Sequence, residues 1–209
     1  MKNLIVITSV IKTHPSPLHY APRSVFSEQE RYEQTLRTIE SCNKIPDSSI
    51  VFFETSDLGQ TYEDAIRSKV NTYINSKNVA EVRNLIDSPK KGQPEAAQIK
   101  YGLEQINWRT YDNLFKISGR YWLSDDFKYQ NYYNDENIFK QGPNGNVGTT
   151  LYKVNQRSYD LLWDCLVYQA NNNAQMESVF GRFFNNHYIS LDKQGICGYV
   201  SVDGNFIDW

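Results

Sequence analysis

The sequence predicts an α/β fold in which helices flank a mostly parallel central sheet. Short β-branched runs, such as residues 1–11 and 49–54, have the length and composition of buried strands. These runs alternate along the chain with stretches in which apolar residues recur at helical spacing, the pattern of a layered α/β protein. A chain of 209 residues without internal repeats can bury one full core, so we expect a single domain.

The first half of the chain alternates regularly between the two kinds of element. Ser27 followed by Glu30 is the signature of a capping box, which opens a helix after the first strand. Pro94 is well placed in the first turn of a later helix, where its missing N–H is not needed. The remaining predictions of this half are a helix over 61–75, an edge strand over 79–86, a helix from 94 to about 106 and a strand over 114–118.

The second half is less regular. Residues 125–146 are rich in Tyr, Asn and Asp, and we predict a loop or small insertion there. The predicted elements that follow are a strand over 147–152, helices over 155–168 and 175–185, and short strands and turns over 188–209.

Charge and cysteine content exclude several classes of protein. Lys and Arg number 22 against 24 Asp and Glu, so the chain lacks the basic surplus of a general nucleic-acid binder. No stretch is long and apolar enough to span a bilayer. The 3 cysteines show no paired spacing, which predicts a reduced, cytoplasmic-type protein. Aromatic residues make up 14% of the chain, which suits a carbohydrate-handling surface and an ordinary core equally well.

Common catalytic motifs are missing from the sequence. The glycines Gly142, Gly145 and Gly148 have the wrong spacing for a dinucleotide fingerprint, and no phosphate loop or Gly-x-Ser-x-Gly elbow occurs. The histidines cannot form a zinc-protease site, because His14 and His19 bracket two prolines and His187 is remote. Kinase, dehydrogenase and hydrolase functions therefore lose their strongest sequence support.

Polar side chains collect at the carboxyl ends of the predicted strands, where open α/β sheets bind their ligands. The candidates are Thr8, Ser9, Arg23, Glu54, Ser56, Asp87, Ser88, Lys91, Glu95, Gln98, Ser118, Gly119 and Arg120. Each has an ordinary structural explanation as a turn, a cap or a solvated charge. Arg120 is the least easily explained in that way, because a guanidinium after a strand-ending glycine can offer a planar fork to a phosphate. Together these ends would hold a base, a ribose and a diphosphate.

Two motifs carry a family resemblance. The chain contains Lys116-Ile117-Ser118-Gly119-Arg120-Tyr121 and, upstream, Asp87-Ser88-Pro89-x-Lys91-Gly92-x-x-Glu95-Ala96. With these motifs, the chain resembles the small GT-A-type glycosyltransferases of large algal DNA viruses and some bacteria over nearly its whole length. The resemblance implies a GT-A-like domain, with a UDP-sugar bound by residues 1–122 and a glycan acceptor by 123–209. It also implies a cytoplasmic enzyme, in the host cytoplasm if the chain is viral.

One departure from that family concerns the metal. Most GT-A enzymes carry Asp-x-Asp at the end of the fourth strand, where the carboxylates hold Mn²⁺ or Mg²⁺ on the diphosphate. Here the position reads Ser118-Gly119-Arg120. Either Arg120 replaces the cation, or a Mn²⁺ or Mg²⁺ ion is held elsewhere, with Asp87 or Asp125 as the candidate ligand.

Glycosyl transfer assigns roles to these candidates. Arg120 and Lys91 would stabilise the leaving phosphate, and Glu95 and Gln98 would hold sugar hydroxyls. Glu177, early in a predicted helix, is the candidate base of an inverting enzyme, and a retaining enzyme would need none. The main alternative function is a carbohydrate- or nucleotide-binding module without catalysis. A sugar-1-phosphate nucleotidyltransferase is disfavoured, because no glycine-rich loop follows the first strand.

Overall fold

Two sheets organise the chain in a computed structural model that describes residues 1–13, 23–85 and 92–209. The strands of these residues are β1 (Asn3–Ser9), β2 (Ser48–Glu54), β3 (Thr72–Asn75), β4 (Asn113–Ser118), β5 (Tyr121–Leu123), β6 (Ile138–Gln141), β7 (Val147–Asn155), β8 (Ile189–Ser190), β9 (Ile196–Tyr199) and β10 (Phe206–Asp208). The α-helices are α1 (Glu28–Ser41), α2 (Gln60–Arg67), α3 (Ala80–Arg83), α4 (Gly92–Glu104), α5 (Tyr159–Asn171) and α6 (Met176–Phe183).

The larger sheet has 7 strands in the order β3-β2-β1-β4-β7-β6-β8. Strand β7 runs antiparallel to both of its neighbours, and the other pairs are parallel. The predicted mostly parallel central sheet, flanked by helices, is therefore confirmed. The smaller sheet has 3 strands in the order β10-β9-β5. No helix in the described part of the chain is long and apolar enough to cross a membrane.

The strand order creates a switch point between β1 and β4. From β1 the chain proceeds to β2 and β3 on one side and then returns to place β4 on the other side. At such a point the connections diverge, and a crevice opens beyond the carboxyl ends of the two strands. The ends of β1 and β4 are therefore where this sheet is expected to bind a ligand.

Alternation along β1 explains why this strand is apolar throughout. Leu4 and Val6 belong to the core on the face covered by α4 and α5, whereas Ile5 and Ile7 belong to the core on the opposite face. All of these side chains are fully buried, because helices cover both faces of the sheet. Thr8 continues the α4 face, which places its hydroxyl next to that helix.

The predicted helix over 61–75 is wrong in its second half. Helix α2 ends at Arg67, and Thr72–Asn75 forms β3, which pairs in parallel with β2. Asn71 starts the pairing, since its side-chain oxygen accepts from the Ile50 N–H at 2.7 Å. The ring of Tyr73 then stacks on Phe52 at 5.8 Å. Pairing with β2 thus outweighs the helical spacing of the apolar residues.

Two other predictions need correction. Within the predicted edge strand 79–86, the described residues 79–85 form no strand, since Ala80–Arg83 is the one-turn helix α3. The predicted loop over 125–146 contains β6, which pairs with β7 through an irregular register. The capping box at Ser27 and Glu30 is confirmed, with both of its reciprocal hydrogen bonds present.

Candidate functional site

A cavity opens at the switch point between β1 and β4. It contains about 890 Å³ of space, part of it open to solvent. Seven of the predicted site residues line it: Thr8, Ser9, Arg23, Glu95, Gln98, Ser118 and Arg120. Asp87, Ser88 and Lys91 lie outside the described residues. The sheet therefore brings together side chains that are more than 100 positions apart in the sequence.

Three arginines, Arg23, Arg31 and Arg120, line the cavity and give it a positive charge. Arg31 is held by its Nε, which donates to the carbonyls of Val10 at 2.9 Å and Ile11 at 3.1 Å. Burial, together with the neighbouring charge of Arg120, lowers the pKa of Arg31 to about 10. The Nε of Arg120 is itself buried, and it has no hydrogen-bond partner among the described residues. Two neighbouring, partly desolvated cations are stabilised by an anion, so the pair favours an anionic ligand.

The loop around residues 23–25 and the turn after β9 hold the side chain of Arg31 in place. The Nη1 of Arg31 donates to the hydroxyls of Ser24 at 3.2 Å and Ser201 at 3.1 Å. Ser201 donates in turn to the carbonyl of Arg23 at 2.9 Å. Arg31 thus links three separate segments at the cavity.

An ion pair joins a buried lysine to the carboxylate of Glu95, which lines the cavity. Lys116 lies in the middle of β4 with no exposed surface, and its Nζ contacts the Oε1 of Glu95 at 2.6 Å. The same Nζ donates to the hydroxyl of Ser118 at 2.7 Å and to the carbonyl of Thr149 at 2.8 Å. Thr8 donates to Glu95 at 2.8 Å. Burial disfavours the ionised form of Glu95, but Lys116 outweighs burial and lowers the pKa of this carboxyl. Glu95 is therefore held as an anion.

Gly119 allows β4 to end close against β1. A Cβ at this position would lie 3.0 Å from the carbonyl oxygen of Thr8 and 3.1 Å from the Cβ of Ser9. The Gly119 N–H donates to that same Thr8 carbonyl at 2.8 Å. The glycine thus serves a close backbone approach, and the next residue, Arg120, enters the cavity.

Three predicted residues support the walls. The Nε2 of Gln98 donates to the carbonyls of Ser9 at 3.1 Å and Phe53 at 2.8 Å, which ties the ends of β1 and β2 together. Glu54 is fully buried behind the wall, where its Oε1 accepts from the N–H and the hydroxyl of Ser56 at 2.8 and 2.7 Å. Burial raises the pKa of Glu54. Glu54 and Ser56 are not among the described lining residues.

Glu177 is not among the lining residues of the cavity. It belongs to the first turn of α6, whose start packs against the start of α4: a Cβ on Gly92 would lie 2.6 Å from that of Met176. Burial lowers the pKa of Lys116. The negative charge of Glu177 acts in the opposite direction and favours the protonated amine, but its effect is weaker than that of burial. The fold thus brings a carboxylate from the second half of the chain to the ion pair of the first half.

The described residues do not fit a divalent cation. A hard cation prefers several oxygen ligands, whereas β4 ends in Ser118, Gly119 and Arg120. Asp125 is fully exposed and pairs with Lys44 at 2.9 Å, away from the cavity lining. Within the described ranges, no group of three His, Cys, Asp or Glu residues could hold a metal. The other candidate ligand, Asp87, lies outside those ranges.

Comparison with solved structures identifies the fold. No protein-family model matches the sequence, and no curated protein sequence matches it either. A putative nucleotide-diphospho-sugar transferase from Desulfovibrio desulfuricans G20 superposes with a TM-score of 0.56, at 8% identity, over 91% of this chain and 80% of its own. The chain has a GT-A-like fold.

Two further structures share this GT-A-like fold. TarS of S. aureus gives a TM-score of 0.55 at 12% identity, over 97% of this chain and 37% of its own. The galactosyltransferase LgtC, in complex with donor and acceptor sugar analogs, gives 0.51 at 8% identity, over 90% of this chain and 72% of its own. At such identities the likeness concerns the fold.

Sequence reasoning missed two site residues, Arg31 and Lys116, as functional groups. Lys116 had a signal, because a lysine in the middle of an otherwise apolar strand is unusual unless it is paired. Arg31 had a weaker one. It shares the buried face of α1 with Thr35 and Thr38, a polar face that an amphipathic helix would ordinarily turn to solvent.

Proposed function

We propose that the chain is a glycosyltransferase that moves a sugar from a nucleotide-sugar donor, a UDP-sugar in the first instance, to a hydroxyl of a glycan acceptor. The observation that carries the proposal is the charge of the cavity at the switch point. Arg23, Arg31 and Arg120 line it, and Glu95, the one carboxylate among the lining residues that the structure describes, is paired with Lys116. Such a site suits the diphosphate of the donor.

The arginines would stabilise the negative charge that develops on the leaving diphosphate. During transfer, the bond between the anomeric carbon and the phosphate oxygen breaks, and the acceptor oxygen bonds to that carbon. Negative charge then grows on the departing diphosphate. A fixed cationic donor at that position is worth about 3–4 kcal/mol of barrier, by analogy with oxyanion holes. We assign this role to Arg120 and Arg31, in place of a metal ion, and to Lys91 from the sequence.

The two halves of the chain would divide the substrates. We propose that residues 1–122 bind the donor and that residues 123–209 supply the acceptor site. Glu177 would accept the proton of the acceptor hydroxyl if the enzyme inverts configuration. The influence of its charge on Lys116 supports this role. The grouping with enzymes of algal viruses and the cytoplasmic location stay predictions from the sequence.

Replacing Glu177 with Gln tests the catalytic part of the proposal. We expect the variant to bind UDP as the wild type does, and to lose about 10²–10⁴-fold in the transfer rate, the usual contribution of a general base. The rate is measured as UDP release from a UDP-sugar with and without oligosaccharide acceptors. Glu136→Gln, on an exposed loop, is the matched control. An unchanged rate in Glu177→Gln would remove this residue as the base.

The same experiment separates the second candidate function. A non-catalytic binding module is favoured by the absence of Asp-x-Asp at the end of β4. It predicts that the wild type binds UDP-sugars tightly but releases no UDP from them. No UDP should appear with any acceptor, and none should appear by slow hydrolysis without one. UDP release by the wild type would exclude the module.

A further inference from the structure

Glu95 presents two different oxygens. Its Oε1 is held from two sides, by Lys116 at 2.6 Å and Thr8 at 2.8 Å. No described residue donates a hydrogen bond to its Oε2. The side chain lines the cavity and keeps 26% of its surface exposed. One oxygen is therefore fixed by the protein, and the other is left for a ligand.

Lys116 cannot bind a ligand itself. Its Nζ lies within 2.6–2.8 Å of three protein oxygens, on Glu95, Ser118 and Thr149, and its side chain has no exposed surface. A saturated, buried ammonium of this kind acts through its partner. Lys116 fixes the direction and the charge of the Glu95 carboxylate.

The chemistry of the free oxygen selects the ligand group. An ionised carboxylate only accepts hydrogen bonds, and the oxygens of a diphosphate also only accept. Oε2 therefore cannot bind the diphosphate that the arginines attract, and it needs a neutral donor such as a hydroxyl. Gln98, the other residue predicted to hold sugar hydroxyls, already directs its N–H groups to the carbonyls of Ser9 and Phe53.

We propose that the Oε2 of Glu95 accepts a hydrogen bond from a hydroxyl of the transferred sugar and so contributes to donor specificity, with Lys116 as the positioning residue that holds Glu95 for this purpose. The inference rests on the proposed glycosyltransferase function and deepens it. The pairing of Glu95 with Lys116 explains how a carboxylate persists in a cavity built for an anion: the pair adds no net charge.

Calorimetric binding of UDP and of UDP-glucose, UDP-galactose and UDP-N-acetylglucosamine tests the role of Glu95. The quantity compared is the affinity for each UDP-sugar divided by the affinity for UDP. We expect Glu95→Gln to lower this ratio about tenfold for the preferred sugar, the effect of losing a charge-assisted hydrogen bond. The affinity for UDP should not fall, because the variant removes a negative charge close to Arg120. Glu104→Gln, at the exposed end of the same helix, is the matched control.

Folding is checked by thermal unfolding, because Glu95→Gln leaves Lys116 buried without its anion. The double variant Glu95→Gln with Lys116→Met removes both charges, and we expect it to show the same loss in the ratio. An unchanged ratio in both variants overturns the inference. An equal loss for UDP and UDP-sugars also overturns it, since Glu95 would then act on the nucleoside. If the wild type binds none of these ligands, the proposed function fails and the inference with it.

The pH dependence of the ratio tests Lys116 as a positioning residue. The charged and titratable groups near Glu95 are Lys116, Arg120 and Tyr152, with Glu177 acting on Lys116. In the wild type, Lys116 lowers the pKa of Glu95, so the preference for the UDP-sugar should persist as the pH falls. In Lys116→Met that preference should disappear at a higher pH. Identical pH profiles would leave Lys116 with a structural role only.

If Lys116→Met does not fold, Thr8→Val takes its place. This variant removes the second hydrogen bond to Oε1 and keeps the ion pair, so it leaves no buried charge unpaired. We expect a loss of a few-fold in the ratio with UDP affinity retained, and an unchanged ratio would count against a held carboxylate.

Discussion

Lys116 and Lys153 are both fully buried, and their partners decide what each of them does. Lys116 faces a carboxylate at 2.6 Å and belongs to the cavity. Lys153 donates only to neutral oxygens, the carbonyls of Tyr132 at 2.8 Å and Asn134 at 2.6 Å and the side-chain oxygen of Asn134 at 2.9 Å. Burial lowers the pKa of Lys153 to about 8. Lys153 therefore supports a loop, and its charge opposes folding.

This environment predicts a pH dependence of stability. The unfolded chain holds the Lys153 proton up to about pH 10.5, whereas the folded chain releases it from about pH 8. Between these values the unfolded state binds more protons, so the free energy of unfolding should rise with pH, on the order of 1 kcal/mol per pH unit. Urea unfolding at pH 7, 8 and 9 should show this rise in the wild type relative to Lys153→Met.

The exposed Lys69→Met variant should follow the wild type in the same series. If the stabilities of the wild type and Lys153→Met change in parallel from pH 7 to 9, the account of Lys153 is wrong.

Individual residues show which features of the site could be predicted from the sequence and which could not. The sequence could indicate Ser118, Gly119 and Arg120, because they follow a strand that could be recognised. It could not show that Arg31 reaches the same cavity, because that contact depends on how α1 packs over the turn after β9. It could not separate Gln98, which ties two strands, from Glu95, which keeps a free oxygen.

At the scale of elements, helix α4 depends on a close approach to β2. Gly102 faces the ring of Phe53, and a Cβ added there would overlap three atoms of that ring. Phe53 is buried in the core and cannot swing away freely. The same helix carries Glu95 and Gln98, so its distance from the sheet sets the depth of the cavity.

Gly102→Ala should therefore destabilise the protein, although alanine favours a helix. Overpacking costs about 1–3 kcal/mol, which exceeds the gain of about 0.5–1 kcal/mol in helix propensity. Combining Gly102→Ala with Phe53→Leu should restore part of the lost stability, because the smaller side chain makes room for the added Cβ. Gly59→Ala, where a Cβ meets nothing within 4 Å, is the control in the same urea unfolding experiment. Full stability of Gly102→Ala would contradict this packing.

The elements that the sequence predicted best are those with strong local signals. The buried strands and the capped helix α1 follow from composition and spacing alone. Strand β3 was missed because pairing with β2 decides it, and a pairing partner cannot be seen in a short window of sequence.

At the scale of the whole molecule, the distribution of charge matters more than its sum. The net charge of -2 gives no sign of an anion site. The fold nevertheless gathers Arg31 and Arg120 at the switch point of the sheet, where open α/β sheets bind their ligands. The central claim is that these arginines bind a nucleoside diphosphate without help from a metal ion.

Thermal unfolding with UDP tests this claim most directly, in parallel samples with chelator and with Mn²⁺. At about 100 times its dissociation constant, UDP should stabilise the wild type by about 2.7 kcal/mol, a rise of several degrees in Tm, equally in both samples. Arg120→Ala should lose most of this rise, whereas the exposed control Arg109→Ala should keep it. A rise that appears only with Mn²⁺, or no rise in either sample, would contradict the claim.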